Sequence, residues 1–149
     1  HFLSHNIVRL ESNCQLLLSE IVTCGRKMSG EEFMYNHFQN LTECYVNGKL
    51  VVKDNVLLQP DRIPIQGLGI LEGYTHQGTL IYLNSAGLNP SEWIEVFYEK
   101  YGETKDVAFG ISALQQDGFM VRVLGYGAEQ LFLLFKEMQR ALWDALFLN

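Results

Sequence analysis

The sequence is short of basic residues and of long apolar runs. It has 11 Lys and Arg residues against 17 Asp and Glu residues, a net charge of -6. Nucleic-acid binding needs clustered Lys and Arg to neutralise phosphates, so this balance argues against a nucleic-acid partner. No apolar run approaches the roughly 20 residues that a membrane helix needs, so we expect no membrane association. The acidic balance leaves room for a cationic partner or a metal ion.

The sequence also lacks any Cys-x-x-Cys pair. Its three cysteines, Cys14, Cys24 and Cys44, are odd in number, which is unlike a disulfide framework or a zinc ribbon. A reducing, cytoplasmic location is the simplest interpretation. The histidines and cysteines show neither the tight spacing of a classical metal site nor a recognisable arrangement for nucleophilic catalysis. The histidines and cysteines therefore give no sequence signal for either kind of site.

The length and composition predict one domain with a real core. The chain has 149 residues, of which 48% are hydrophobic. It opens in the middle of an apolar pattern, HFLSHNIVRL, and we expect it to be part of a longer protein. Within residues 1–149 we distinguish a β-rich part, 1–66, from a part with strands and two helices, 67–149.

Apolar runs and turn signals predict a mainly β fold. Asn47-Gly48 is the strongest short signal for a hairpin, and it separates two of the predicted strands. The predicted strands cover 7–12, 14–24, 33–46, 49–58, 78–85, 106–114 and 118–125. The last third therefore has α+β character, because two helices are predicted among its strands.

The first helix has a capping signature. Asn89 is suited to the N-cap, Pro90 to the first turn and Glu92 to a capping box, and Gly102 is placed to end the helix. The second helix runs from 128 to 148. Its helically spaced apolar side chains are Leu131, Leu134, Phe135, Met138, Leu142, Ala145 and Leu146, with Phe132, Leu133, Trp143 and Phe147 outside that stripe. A helix apolar on more than one face packs deeply or docks on a partner.

Two carboxylates fall on otherwise apolar strand faces. Side chains two residues apart share a face of a strand. Glu20 is the only charge in the row that runs from Cys14 to Cys24, and Asp54 is the only charge in the row from Leu50 to Leu58. A buried carboxylate must be paired, protonated or bound to something.

Three interpretations of these carboxylates are open. Each can form a salt bridge, for instance with Arg26 or Arg122, or a hydrogen bond to the backbone. The face can instead be open to water. The functional interpretation is that their oxygens line an internal polar path for a cation.

The segment CGRKMSGEEF, residues 24–33, combines a thiol, cations, glycines and carboxylates. It lacks the Lys-Ser/Thr that follows the second glycine of a phosphate-binding loop. Gly25 and Gly30 supply backbone freedom, and Arg26 and Glu31 can bond each other or the turn. From local chemistry the segment is predicted to be a structural turn between strands.

Four motifs in a fixed order resemble the urease accessory protein family UreD, also called UreH. The first is Gly-Arg-x-x-x-Gly-Glu-x-Phe, and the second is a strand, short turn and return strand that carries Asp54. A late Gly-x-Ser-Ala-Leu then leads to a strand with Arg122, and a terminal helix contains Leu-Trp. The matching positions are Gly25, Arg26, Gly30, Glu31, Phe33, Asp54, Gly110, Ser112, Ala113, Leu114, Arg122, Leu142 and Trp143. The resemblance covers nearly all of the chain and fits the C-terminal part of the family.

The resemblance implies a nickel-insertion scaffold and metallochaperone, not an enzyme, with no catalytic residue and no permanently bound cofactor. Such a protein binds the urease apoprotein and the accessory protein UreF, which recruits the nickel-carrying GTPase UreG. Ni²⁺ passes transiently through an internal channel in a fold of stacked β-sheets with two C-terminal helices. The channel residues implied are Glu20 and Asp54, and Glu31, the Glu of the first motif, serves either the channel or the turn. Weaker candidates for the metal are Cys24 and His76, although a buried thiol and an exposed loop histidine are the simpler interpretation.

The terminal helix is the candidate surface for UreF. Its predicted partner-binding residues are Leu131, Phe135, Met138, Leu142 and Trp143.

Two other classes of function compete with the scaffold. One is a small-molecule-binding or hydrolytic α+β domain that uses Glu20, Glu31 and Asp54 as an acid/base cluster in an open cleft. The other is a β-rich interaction module without a metal role. A closed polar tunnel favours metal passage, a concave pocket favours an enzyme, and the absence of both favours the module.

Overall fold

A computed structural model describes residues 1–86, 90–115 and 118–148. Within these residues the chain forms nine strands and two helices. The strands are β1 Phe2–Leu10, β2 Gln15–Thr23, β3 Gly25–Arg26, β4 Glu31–Glu32, β5 Phe38–Val46, β6 Lys49–Leu58, β7 His76–Asn84, β8 Ala108–Ala113 and β9 Gly118–Gly125; the helices are α1 Ser91–Tyr101 and α2 Ala128–Phe147. The prediction of a mainly β fold with two helices in the last third is confirmed.

The long strands form two sheets. The first has the order β1-β5-β6, in which β1 and β5 are parallel and β5 and β6 are antiparallel. The second has the order β2-β7-β9-β8 and is antiparallel throughout. The short strands β3 and β4 pair only with each other.

The two sheets face each other, and the helices cover the outer face of the four-stranded sheet. One core cluster joins Leu80 and Val121 of that sheet to Phe97 of α1 and Leu131 of α2. Helix α2 lies directly on β7, because a Cβ on Gly78 would come within 2.8 Å of the Phe135 ring. Apolar residues of both sheets fill much of the space between them.

Turn chemistry explains where the strands of the first sheet begin and end. Asn47 and Gly48 both have positive φ, 48° and 79°, as a two-residue hairpin turn requires. The strand predicted over 33–46 begins only at Phe38, and Phe33 has a φ of 54°, outside the extended region. The pairing of β5 with β6 shifts register beside Cys44. Leu50, which alternation placed on the same face as Asp54, is exposed as a result.

The structure confirms the predicted end of the first helix but not its predicted capping box. Pro90 takes the N-cap position instead of the first turn, and within the described residues no side-chain hydrogen bond caps the helix, so Glu92 does not complete a capping box. Helix α1 begins at Ser91, directly after Pro90, and the N–H of Gly102 donates to the carbonyl of Tyr98 at its end. The predicted N-cap, Asn89, lies outside the described residues, as does most of the turn predicted between β8 and β9. None of the helices in the described part of the chain is long and apolar enough to cross a membrane.

The apolar stripe of α2 faces the core and not a partner. Leu131, Phe135, Met138 and Leu142 are all buried against the four-stranded sheet. These four predicted partner-binding residues are therefore inaccessible in this fold, because the helix turns its continuous stripe inward. Of the predicted set only Trp143, which is 58% exposed, lies on the outer surface, together with Phe132, Leu133 and Phe147.

Candidate functional site

A row of polar side chains crosses the middle of the sandwich. Six strands each contribute one residue to this row, and β5 contributes a second. The row lies between the two apolar clusters that fill the space between the sheets. We call this set the polar belt. Its members are Asn6, Thr42, Asn40 and Asp54 of the three-stranded sheet and Glu20, Thr79 and Arg122 of the four-stranded sheet.

Strand register brings the belt together. Thr42 is opposite Asn6 on one side and Asp54 on the other, and Thr79 is likewise flanked by Glu20 and Arg122. Directly paired residues point to the same face of a sheet. The two rows thus face each other across the sandwich, and Glu20 and Asp54 lie on the same strand faces as the apolar residues with which they alternate.

Glu20 is held by uncharged donors. The Nδ2 atom of Asn6 lies 3.1 Å from Glu20 Oε1, while Asn40 Nδ2 and Thr42 Oγ1 lie 2.9 and 3.2 Å from Glu20 Oε2. Asn40 is 7% exposed and Thr42 is fully buried. The salt bridge from Glu20 to Arg26 or Arg122 that the sequence suggested does not form, and among the described side chains no Lys or Arg pairs with this carboxylate.

Asp54 forms the ion pair with Arg122 that was one of the predicted alternatives. Arg122 Nη2 lies 2.6 Å from Asp54 Oδ1, and Nη1 donates to Thr79 Oγ1 at 2.6 Å. The Asp54 side chain is 11% exposed, whereas that of Arg122 is 35% exposed. The pair therefore closes one end of the belt and is partly open to water.

An open cavity of about 510 Å³ lies at the other end, where β1 and β2 form the edges of the sandwich. Asn6, Glu20 and Asn40 of the belt line it, together with His37 and Tyr35. Burial, and secondarily the nearby Cys24, raise the pKa of Tyr35 to about 12. The Tyr35 hydroxyl is a buried polar atom without a hydrogen-bond partner among the described residues. The belt thus reaches solvent-accessible space beside Glu20.

Cys44 borders the belt as a neutral packing residue. It is fully buried beside Val52. Burial is the main cause that raises the pKa of its thiol, and the negative charge of Glu20 raises it further. Its thiol is therefore protonated at neutral pH and packs as an apolar group.

Comparison with known proteins identifies the family. The family model of the UreD urease accessory protein matches residues 1–149. This chain belongs to the UreD family. It is 50% identical over 144 residues to the urease accessory protein UreD of Flavobacterium johnsoniae, which covers 97% of this chain and 52% of that protein.

More distant UreD proteins match in the same way. That of Staphylococcus saprophyticus is 36% identical over 126 residues, covering 83% of this chain and 44% of that protein. That of Haemophilus influenzae strain PittGG is 33% identical over 148 residues, covering 95% of this chain and 55% of that protein. The chain thus spans about half the length of the curated relatives that it matches.

The Gly-Arg-x-x-x-Gly-Glu-x-Phe motif of this UreD chain forms a small exposed hairpin. Gly25–Arg26 pairs with Glu31–Glu32, and the N–H of Phe33 donates to the carbonyl of Cys24 at 2.6 Å. Gly25 has a φ of 110°, and a Cβ there would lie 2.7 Å from the Glu31 carbonyl oxygen. The backbone thus requires this glycine, which agrees with the predicted structural turn.

The other candidate residues do not join the belt. Glu31 is exposed on the hairpin, and Cys24 is buried at its base. His76 is not the exposed loop histidine that was expected: it begins β7, is 7% exposed and bonds Thr75 Oγ1 through Nδ1 at 2.8 Å. Across the described ranges, no three His, Cys, Asp or Glu side chains converge as a metal site.

Four belt residues escaped the sequence analysis. They carry no charge, so the criterion of a charged residue on an apolar strand face does not identify them: Asn6, Asn40, Thr42 and Thr79. The same alternation would have found them, because Asn6 shares a face with Val8, which packs against the core.

Proposed function

We propose that this chain, as part of a UreD protein in the cytoplasm, helps deliver nickel to urease along the polar belt. The full protein binds the urease apoprotein and UreF, and through UreF it receives nickel from the GTPase UreG. The observation that carries this proposal is a continuous polar row through an otherwise apolar sandwich, with Glu20 beside an open cavity at one end. Such a row costs stability, so a function explains its presence better than packing does.

The donor atoms of the belt suit a transient cargo. They are carboxylate, amide and hydroxyl oxygens, which are harder ligands than the imidazoles and thiolates of a retained nickel ion. A tight cage would trap the ion, whereas isolated oxygen sites let it move on. Ni²⁺ is accordingly a passing substrate of the belt and not a resident cofactor.

A hydrolytic function is less well supported. It needs Glu20, Glu31 and Asp54 in one open cleft, but Glu31 is exposed on the β3–β4 hairpin. Asp54 is also bonded to Arg122, so it is not free to act as a general base. We therefore propose no catalytic residue.

The test is nickel delivery by full-length UreD variants. We expect Glu20→Gln and Asp54→Asn to leave the complex with UreF and apo-urease intact while urease receives nickel about tenfold more slowly. Loss of one charged contact worth about 1.4 kcal/mol gives this factor. The measurement is urease nickel content and activity against time, beside co-purification of the complex.

The matched control is Glu43→Gln. Glu43 is also on β5, but it bonds His5 and Lys53 instead of belt residues. A hydrogen bond from His5 is the main cause that lowers the pKa of Glu43, so Glu43 is ionised at neutral pH. The control therefore removes a charged carboxylate, as the belt variants do. Normal delivery by Glu20→Gln and Asp54→Asn, with intact complexes, would refute the route through the belt.

We assign UreF to the outer face of α2. Its aromatic side chains Phe132, Trp143 and Phe147 are each more than half exposed, and the Trp143 and Phe147 rings lie 4.4 Å apart. Exposed aromatics of this kind are the usual anchors of protein interfaces.

We expect the double variant Trp143→Ala/Phe147→Ala to weaken UreF binding by more than tenfold, because interface aromatics contribute about 2 kcal/mol or more each. Co-purification and a titration of UreF measure this. The control is Tyr98→Ala on the other helix, which removes a similarly exposed aromatic. Equal effects of the two changes would contradict the assignment.

A further inference from the structure

The two carboxylates of the polar belt are not equivalent. In the described part of the chain, Glu20 is bonded to amide and hydroxyl donors alone, while Asp54 is bonded to the guanidinium of Arg122 at 2.6 Å. The positively charged side chain of Arg122 thus occupies Asp54, one of the two carboxylates in the belt along which we propose that Ni²⁺ passes. Arg122 is therefore the feature of the belt that nickel delivery by itself does not explain.

The geometry points to Arg122 as a charge valve. We propose that its guanidinium neutralises Asp54, so that a divalent cation at Glu20 cannot move on to the Asp54 carboxylate until Arg122 swings away. This inference rests on the proposed passage of nickel. It adds a specific regulator: the ion must displace a competing cation in order to move along the belt.

The surroundings of Arg122 fit a group that can be displaced. Its Nη1 and Nη2 atoms bond Thr79 and Asp54, so one resting position is well defined. Its side chain is nevertheless 35% exposed, so water is available to solvate it after it leaves. A fully buried arginine would have no such alternative.

The charges are close enough to act on one another. Glu20 and Arg122 are both register partners of Thr79, on the strands either side of it. Adjacent strands are about 4.8 Å apart, which puts these two backbones about 10 Å apart. Across the sandwich, Thr42 bonds Glu20 and is the register partner of Asp54. At this separation, inside a protein, a change of one charge alters the binding of a dication measurably.

The experiment measures Ni²⁺ binding to full-length UreD by equilibrium dialysis, with the metal alone as the probe. We expect Arg122→Gln to tighten binding at least tenfold, because it removes a competing cation and leaves Asp54 as a second unpaired acidic position for the ion. Asp54→Asn should weaken binding at least tenfold, since it leaves Arg122 as an unpaired cation in the belt. The double variant Arg122→Gln/Asp54→Asn should return to within about threefold of the wild type, as the two charge changes cancel.

Opposite changes in Ni²⁺ affinity for the two single variants, with near wild-type affinity in the double variant, distinguish a valve from a structural ion pair. Loss of a structural pair would change binding in the same direction for both single variants, through a shared loosening of the fold. The control Arg9→Gln removes an exposed arginine that lies over the Tyr45 ring, and we expect less than a twofold change. Circular dichroism checks that each variant folds. If Arg122→Gln does not fold, the comparison of Asp54→Asn with the double variant still carries the test.

The outcomes separate the valve from the route. Unchanged affinity, or changes of the same sign, in Arg122→Gln and Asp54→Asn would overturn the valve, provided that Glu20→Gln still weakens Ni²⁺ binding. Unchanged affinity in Glu20→Gln would instead remove the metal from the belt and overturn the proposed route itself.

Discussion

Replacement of Phe119 by alanine is expected to lower the free energy of unfolding by about 3–5 kcal/mol. Phe119 is fully buried, with its ring centroid 5.2 Å from that of Tyr82 and 5.8 Å from that of Phe97 in an edge-to-face arrangement. It therefore joins β9 to β7 and to α1. Truncation leaves a cavity where three elements meet, and this loss is a large share of the 5–15 kcal/mol typical of a domain.

Urea unfolding of the full-length protein measures this change. Trp93 is a convenient fluorescent reporter, because its ring lies 5.3 Å from Phe97 in the same cluster. The matched control is Phe132→Ala on the exposed face of α2, for which we expect a change within about 0.5 kcal/mol. A loss of less than about 1 kcal/mol for Phe119→Ala would contradict this account of the core.

The second large effect concerns Asn40. This side chain both donates to Glu20 Oε2 at 2.9 Å and accepts from Asn6 Nδ2 at 3.0 Å. A hydrogen bond to a charged group contributes about 1.5–3 kcal/mol, and a neutral one about 1 kcal/mol. We therefore expect Asn40→Ala to lower the free energy of unfolding by about 2–4 kcal/mol, measured by the same urea titration.

Asn55→Ala is the control for Asn40→Ala. Asn55 accepts from Gln39 at 3.0 Å in an equivalent amide pair, but this pair is exposed on the outer face of the same sheet. Water replaces that bond at little cost, so we expect a change within about 0.5 kcal/mol. Similar losses of unfolding free energy for the two variants would mean that the hydrogen bonds of the belt are as accessible to water as those on the surface, which would contradict this account.

Local sequence patterns predicted most of the long strands and placed Glu20 and Asp54 on otherwise apolar strand faces, because alternation depends only on neighbouring residues. The first strand was predicted over 7–12 but forms at Phe2–Leu10. The Asn47-Gly48 turn also predicted the β5–β6 pairing correctly. The cluster itself could not be predicted in this way. It depends on β1 pairing in parallel with β5 and on one sheet stacking over the other, and neither arrangement leaves a local signal.

Helix α2 illustrates a second limit. Its apolar residues on two faces left core packing and partner docking open, and periodicity could not decide which face turns inward. The structure resolves this through Leu131 and Met138, both fully buried, against Phe132 and Trp143 on the outside. Four of the five side chains that the sequence assigned to a partner surface are therefore buried in the core.

The parallel pairing of β1 with β5 carries a cost in chain entropy. Phe2 is opposite Phe38, 36 positions later, whereas β5 and β6 are joined by the two-residue turn at Asn47-Gly48. The entropy of closing the longer loop exceeds that of the turn by roughly 2–3 kcal/mol. Strand β1 is thus the member of this sheet that is ordered at the greatest cost, and it carries Asn6 to Glu20. Detachment of β1 would therefore remove one hydrogen bond from Glu20 and widen the opening through which water and ions reach that carboxylate.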